Sequence, residues 1–277
     1  MAASPADGGE VRVDVEDGVA TVTLDRPPRN ALTVGFAEAL IATLDDMAGD
    51  RRVRAVVLTG TGDTFCAGAD LVDGPESIRR LFADDGGDRP GYREPAARVG
   101  AAIARLPVPV VAAINGDAAG GGATIPLAAD VRFAAEHARF VFPFTRLGLC
   151  PEGASTHHLP RLVGPGRAAD WLLSGRRVDA AEALASGLVS RVLPADRLLE
   201  AALGWARQVA TSCSPTAVAA TRALLAAAPA TPDAAAEAES ALIVALAAAP
   251  DCPEGVAAFA ERRVPRFRPA DSVTATP

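Results

Sequence analysis

The chain has 277 residues, a formal net charge of −7, 49% hydrophobic residues and 22% charged residues. That length carries a sizeable core, and charge near the globular average argues against wholesale disorder. The acidic balance argues against a nucleic-acid binder resting on a broad basic face. All 27 basic side chains are Arg, which removes Schiff-base chemistry and proton transfer by an ammonium group.

No apolar run reaches the roughly 18 residues of a transmembrane helix. The first ten residues are small and acidic, without the basic and apolar regions of a secretory signal, and the last four match no peroxisomal tripeptide or prenylation box. A soluble, cytoplasmic protein is the expectation. Cys66, Cys150, Cys213 and Cys252 form no C-x-x-C pair, and His157-His158 is the one close histidine pair. No metal site is therefore expected, and the thiols are expected to be reduced and mostly buried.

In chain order, residues 11–15 and 19–24 alternate apolar and polar side chains around Asp17-Gly18, which predicts a hairpin. Pro27-Pro28 stops it. Residues 33–47 place Phe36, Leu40, Leu44 and Met47 at helical spacing. Residues 53–59 read as a buried strand ended by Gly60 and Gly62. Residues 73–91, charged and rich in Gly and Asp, read as a mobile insertion or lid rather than core. Residues 108–114 are a second buried strand, closed by Asn115-Gly116. A strand, strand, helix rhythm of roughly 45–55 residues emerges. From about residue 197 the sequence predicts helices over 198–211, 215–227, 234–248 and 252–263, punctuated by Pro229, Pro232, Pro250 and Pro265. The chain is expected to divide into a core, 1–200, and a helical region, 201–277, whose Ala-rich helices need a neighbour, such as another subunit.

Two strand-to-helix junctions carry the chemistry. One runs from an apolar strand through Gly60 and Gly62 to Ala67-Gly68-Ala69-Asp70. The other places Gly120-Gly121-Gly122 just before a predicted helix. Small side chains let a ligand reach the backbone, and unpaired N–H groups at a helix start point outward. Two such donors converging on one oxygen would form an oxyanion hole, whereas tight strand–helix packing would need the same glycines. The dinucleotide spacing G-x-G-x-x-G occurs at neither place.

Five segments in order, residues 26–32, 65–71, 109–130, 140–153 and Gly187-Leu188-Val189, resemble the crotonase superfamily, also called the enoyl-CoA hydratase/isomerase family. The likeness spans roughly residues 11–268. It implies an α/β crotonase fold, a spiral of strand-strand-helix turns. It further implies a C-terminal helical region assembling a homotrimer or hexamer, and an acyl-CoA thioester substrate of fatty acid metabolism, with no cofactor beyond the substrate's own coenzyme A. Carried onto this chain, the backbone N–H groups of Ala69 and Gly121 would hold the thioester oxygen. Ala67, Gly68, Asp70, Leu71, Gly120, Gly122 and Phe144 would line the substrate site, and Arg29 and Ala31 would lie toward the CoA nucleotide.

The resemblance also marks departures. Hydratases of the family use two glutamates, and here Thr124 and Phe144 stand at those positions; neither is a general base at neutral pH. Residues 142–156 instead resemble the Δ3,Δ2-enoyl-CoA isomerase branch, whose single glutamate lies in a Ser/Cys-Pro-Glu-Gly loop. That makes Glu152 the base. Moving a double bond from C3 to C2 needs one group to take a C2 proton and return it at C4, so one carboxylate suffices. Apolar Phe142, Phe144 and Leu149 would raise its pKa. The alternatives are a hydratase with a relocated glutamate, a silent acyl-CoA-binding homologue, other carbon chemistry on the same oxyanion hole, or Glu152 as a mere cap on a helix beginning near Ala154.

Other candidates carry less. Asp70 is expected to steady its loop and Asp130 to be structural. His157 and His158 face different sides of a helix, and nothing activates Cys66 or Cys150. Arg262, Arg263, Arg266 and Arg268 reach the CoA phosphate or form a solvated face, Val72 stands where relatives often carry Lys, and residues 73–98 shape the acyl pocket.

Overall fold

The structure, a computed structural model, describes residues 10–82 and 89–268. It opens on the expected hairpin: β1 (Glu10–Glu16) pairs antiparallel with β2 (Val19–Asp25) around Asp17-Gly18. Thr33 then accepts a hydrogen bond at its Oγ1 from the Phe36 N–H and starts α1 (Val34–Gly49), which buries Phe36, Leu40, Leu44 and Met47 as their spacing predicts.

The chain next winds through turns that each give one strand to a large sheet and one to a small sheet. β3 (Ala55–Gly60) leads into β4 (Thr64–Cys66). After α2 (Pro75–Phe82) and α3 (Pro95–Arg105), β5 (Val110–Ile114) leads into β6 (Asp117–Ala119). After α4 (Gly121–Thr124) and a 3₁₀ turn (Ile125–Ala128), β7 (Val131–Ala135) leads into β8 (Arg139–Val141). A second 3₁₀ turn (Phe144–Leu147), α5 (Ser155–Val163) and α6 (Pro165–Ser174) precede β9 (Arg177–Asp179), α7 (Ala180–Ser186) and β10 (Arg191–Leu193). The large sheet has the order β1-β2-β3-β5-β7-β10, parallel from β2 onward; the small one has the order β4-β6-β8-β9. Because β3, β5 and β7 are covered on both faces, their side chains are almost wholly apolar and buried.

The turns are of unequal length, unlike the even rhythm expected. The step from β3 to β5 contains two helices, but that from β5 to β7 contains only α4 and its 3₁₀ continuation. α4 also begins within the glycines rather than after them. The stretch expected to be an insertion or lid contains α2, with Leu81 buried; residues 83–88 of that stretch lie outside the described residues.

Four helices follow: α8 (Ala195–Ser212), α9 (Pro215–Ala227), α10 (Pro232–Ala247) and α11 (Asp251–Glu261). The expected division at residue 200 falls inside α8, which buries Leu198, Ala202, Ala206 and Ala210 against the large sheet. α9 and α10 bury almost nothing, and Leu225, Ile243, Val244 and Phe259 stand exposed. Among the described residues no single helix is long and apolar enough to cross a membrane. All four cysteines are free, but only Cys66 is buried; Cys150 and Cys252 are exposed and Cys213 half-exposed, against the expectation of mostly buried thiols.

Candidate active site

The cleft begins with the β4–β6 pair. Its parallel register sets Cys66 beside Ala118 and brings the two following turns together. Gly68, at φ +80°, lies so close to the second turn that a Cβ there would sit 2.5 Å from the Ala119 carbonyl oxygen. Only glycine combines that left-handed backbone with that clearance. A Cβ on Gly122 would likewise strike the Cys66 carbonyl, so this glycine holds α4 against β4.

These contacts orient the two N–H groups. Leu32 makes a parallel bridge with Ala69: its N–H donates to the Gly68 carbonyl (2.7 Å), and its own carbonyl accepts from Asp70 N–H (3.0 Å). A parallel bridge uses the neighbours of the bridged residue, so the Ala69 N–H is left pointing away from Leu32. Gly121 is the first residue of α4, and its N–H has no intrahelical acceptor. Among the described residues neither N–H donates to a backbone carbonyl. Both residues line a cleft that is open to solvent.

Asn30 fastens this wall from beneath. It is buried, has a φ of +54°, and its Nδ2 donates to the carbonyls of Thr61 (3.0 Å), Thr64 (2.8 Å) and Phe65 (3.2 Å). Asp70 forms an ion pair with Arg26 (2.8 Å) and accepts from Val72 N–H, so it steadies the loop as expected. Asp130 joins Val110 N–H (2.7 Å) to Arg222 (2.9 Å), a structural tie.

Beside Gly121 the cleft carries Glu152, whose Oε1 lies 3.5 Å from where a Cβ on that glycine would sit. Leu32, Ala67, Leu71, Phe144, Leu147 and Leu149 surround it in the cleft, with Ile78, Leu81 and Phe82 of α2 completing the apolar lining. α2 therefore serves as a wall of the cleft. Phe142 does not line it: its ring is wholly buried and stacked on Trp171, since side chains alternate along the β8 extension. The Glu152 carboxylate accepts from Thr124 Oγ1 (2.8 Å), and the backbone carbonyl of Glu152, not its side chain, accepts from Ser155 at the start of α5. Capping is thus not the role of this side chain.

One partner escaped the sequence reading. Glu94, the N-cap of α3, sets its carboxylate on the N–H of Gly153, the residue next to Glu152, and so brings its charge beside the Glu152 carboxyl group. Its oxygens accept from Ala97 N–H (2.9 and 3.0 Å) and Gly153 N–H (2.8 Å). Gly153, at φ +64°, makes room for this junction; a Cβ there would lie 2.5 Å from Thr124 Oγ1. Burial pushes the Glu152 carboxyl well above the usual carboxylate range; the negative charge of Glu94 pushes further, and Thr124 opposes them. Burial likewise pushes the Cys66 thiol up to about 12, so it is neutral.

A second pocket shares Ala67 with the cleft and contains Arg29, Arg139 and Arg177, with Asp117 beside them. Gly122 and Asp70 lie outside the lining of the apolar cleft, as do Gly68 and Ala31, whose backbones build its wall. His157 and His158 are also outside it, as are the C-terminal arginines: Arg263 is bound to Glu254 and Glu261, and Arg266 lies in a separate surface pocket with Arg51, Arg52 and Arg54.

Two backbone N–H donors and a half-buried carboxylate lining one apolar cleft define a protein able to stabilise an oxyanion while moving a proton nearby. A family model described as enoyl-CoA hydratase/isomerase matches residues 14–270. The chain belongs to this family, the crotonase superfamily, whose members process acyl-CoA compounds. It is 37% identical over 254 residues to the enoyl-CoA hydratase ACTT3 of Alternaria alternata, covering 91% of this chain and 83% of that one. It is 35% identical to the 1,2-epoxyphenylacetyl-CoA isomerase of Escherichia coli (strain K12), covering 91% and 96%. The solved structure of a probable enoyl-CoA hydratase/isomerase from Mycobacterium abscessus superposes with a TM-score of 0.86 at 36% identity, covering 95% of this chain and all of that one. The α/β crotonase fold expected from the sequence is thereby established.

Proposed function

We propose that the enzyme is an acyl-CoA Δ3,Δ2-enoyl isomerase. The observation that carries this reading is that, among the described residues, Glu152 is the one carboxylate lining the apolar cleft, in the same lining as Ala69 and Gly121. In a 3-enoyl-CoA bound with its thioester oxygen on those two donors, ionised Glu152 takes a proton from C2. The electrons of the C2–H bond pass to the oxygen as a dienolate. Glu152 then returns the proton at C4, leaving the double bond between C2 and C3, and no water is consumed. A raised pKa brings the base closer to its carbon acid, and the apolar lining keeps water from competing.

Arg29, Arg139 and Arg177 suit the phosphates of the CoA moiety, because their pocket adjoins the cleft at Ala67. The exposed apolar residues of α9–α11 suit contact with further copies of this chain, as a trimer or hexamer.

Hydration is the second reading, because most of the named relatives are hydratases. Glu94 would supply the second carboxylate, but it is tied to Ala97 and Gly153 and does not line the cleft. The test offers the enzyme a 3-enoyl-CoA and, separately, a 2-enoyl-CoA. Isomerisation creates the absorbance of the conjugated thioester from the first substrate; hydration removes it from the second. Rapid loss of absorbance from the 2-enoyl-CoA with no gain from the 3-enoyl-CoA would replace this reading with the hydratase.

A further inference from the structure

Glu94 and Glu152 come from different elements, and the Glu94 carboxylate is held beside Glu152 by the N–H of Gly153 (2.8 Å); among the described residues no cation acts on the Glu152 carboxyl. Ordinarily two like charges would be kept apart or neutralised by an arginine, as Asp70 is by Arg26. Here the surroundings of Glu152 are otherwise uncharged. From α4 it meets the Thr124 hydroxyl, from β4 the neutral Cys66 thiol, and from the segment between β8 and α5 it meets Phe144 and Leu149. Among the described residues, the charged group that acts on it is Glu94.

The two carboxyls differ in their hydrogen-bond partners. Glu94 accepts from two backbone N–H groups, those of Ala97 and Gly153, at the start of the eleven-residue helix α3. Both donors and the helix end favour a negative charge there. Glu152 accepts from one hydroxyl and faces the cleft. Glu152 is thus the member of the pair that faces the cleft and whose carboxyl is pushed up, and Glu94 is the neighbour anchored by backbone donors.

Building on the reading of Glu152 as proton carrier, we propose that Glu94 is its positioning partner, a fixed negative charge beside the carboxyl that receives the substrate's proton. With both groups ionised, repulsion between them makes Glu152 a stronger base. When the C2–H bond breaks, the proton moves to a Glu152 oxygen, the electron pair passes to the thioester oxygen, and neutralising Glu152 relieves the repulsion. Delivery to C4 restores the doubly ionised pair. Glu94 touches neither substrate nor reacting atoms; it acts through Glu152, and through Gly153 it fixes the loop that carries Glu152.

The test is Glu94→Gln, which keeps an acceptor oxygen for Ala97 and Gly153 but removes the charge. Two readouts are taken. The first is the pH profile of kcat/KM with a 3-enoyl-CoA; the second is the infrared band of the protonated carboxyl, assigned by its loss in Glu152→Gln and titrated without substrate. We expect the acid limb and the titration of the band both to move toward lower pH by about one unit or more. We also expect kcat at the plateau to fall about tenfold, because a weaker base transfers the proton more slowly. Glu94→Ala, which also loses the cap, should show the same displacement with a lower Tm. A limb and a band that stay in place in Glu94→Gln overturn the proposal, whatever happens to Tm. Normal turnover by Glu152→Gln overturns the isomerase reading instead, and the displacement of the band still decides whether the carboxyls are coupled.

Discussion

The two walls of the cleft are built in opposite ways. The wall bearing Ala69 and Gly121 is backbone: adjacent parallel strands, a bridge to Leu32, and glycines whose missing side chains let the turns touch. The wall bearing Glu152 is a meeting of side chains from three distant segments, with Thr124 donating to Glu152 and Glu94 held beside it on the Gly153 N–H. The first is rigid and preorganised and carries fixed partial charge; the second holds groups that change protonation. Stabilising an oxyanion needs the first property and moving a proton needs the second.

Each wall can be broken separately. Glu152→Gln removes the proton carrier and should lower isomerisation by about 10³–10⁴-fold while CoA-ester binding, read by calorimetry, stays nearly intact. Gly68→Ala attacks the backbone wall: its Cβ would lie 2.5 Å from the Ala119 carbonyl at a φ of +80°. It should lower kcat by about 10²-fold, within the range for a lost oxyanion donor, and lower Tm as well. Arg139→Ala combined with Arg177→Ala touches neither wall. That variant should raise KM for the acyl-CoA about tenfold with little change in kcat, and the difference from wild type should shrink at high salt.

The smallest effect concerns stability and has a definite sign. The folded-state pKa of Glu152 is raised above its unfolded value, so its contribution to stability is fully present below the unfolded pKa and is lost as pH rises through the folded pKa. Glu152→Gln should therefore melt a few degrees above wild type at pH 8, and the advantage should shrink as pH falls toward the ordinary carboxylate range. An advantage independent of pH would mean that the pair does not titrate as described.

The backbone wall was legible in the sequence because its cause is local. Glycines beside an apolar strand prescribe a close approach, and the hairpin and the helices of the C-terminal region likewise follow from alternation, helical spacing and proline punctuation. The carboxylate wall was only half legible. Glu152 was found through the family likeness of its loop, but Glu94 is remote in sequence and lies just past the 73–91 stretch read as a lid, within residues 73–98, which were expected only to shape the acyl pocket. A signal was present in Glu94-Pro95, a capping acid followed by a proline suited to the first turn of a helix. Likewise Ile78, Leu81 and Phe82, spaced for one helical face, mark α2 as a wall of the cleft. Phe142 was misplaced because its neighbours in sequence line the cleft while its own side chain points into the core.

The origin of the hydrogen added at C4 tests the account most directly. A 3-enoyl-CoA carrying deuterium at C2 is converted in ordinary water, quenched within the first turnover, and the product examined by mass spectrometry and NMR. One carboxylate carrying the proton between the two carbons predicts deuterium at C4 in a substantial share of the product, with Glu152→Gln giving no product on the same timescale. A product whose new C4 hydrogen comes wholly from water, formed equally well by Glu152→Gln, would contradict it.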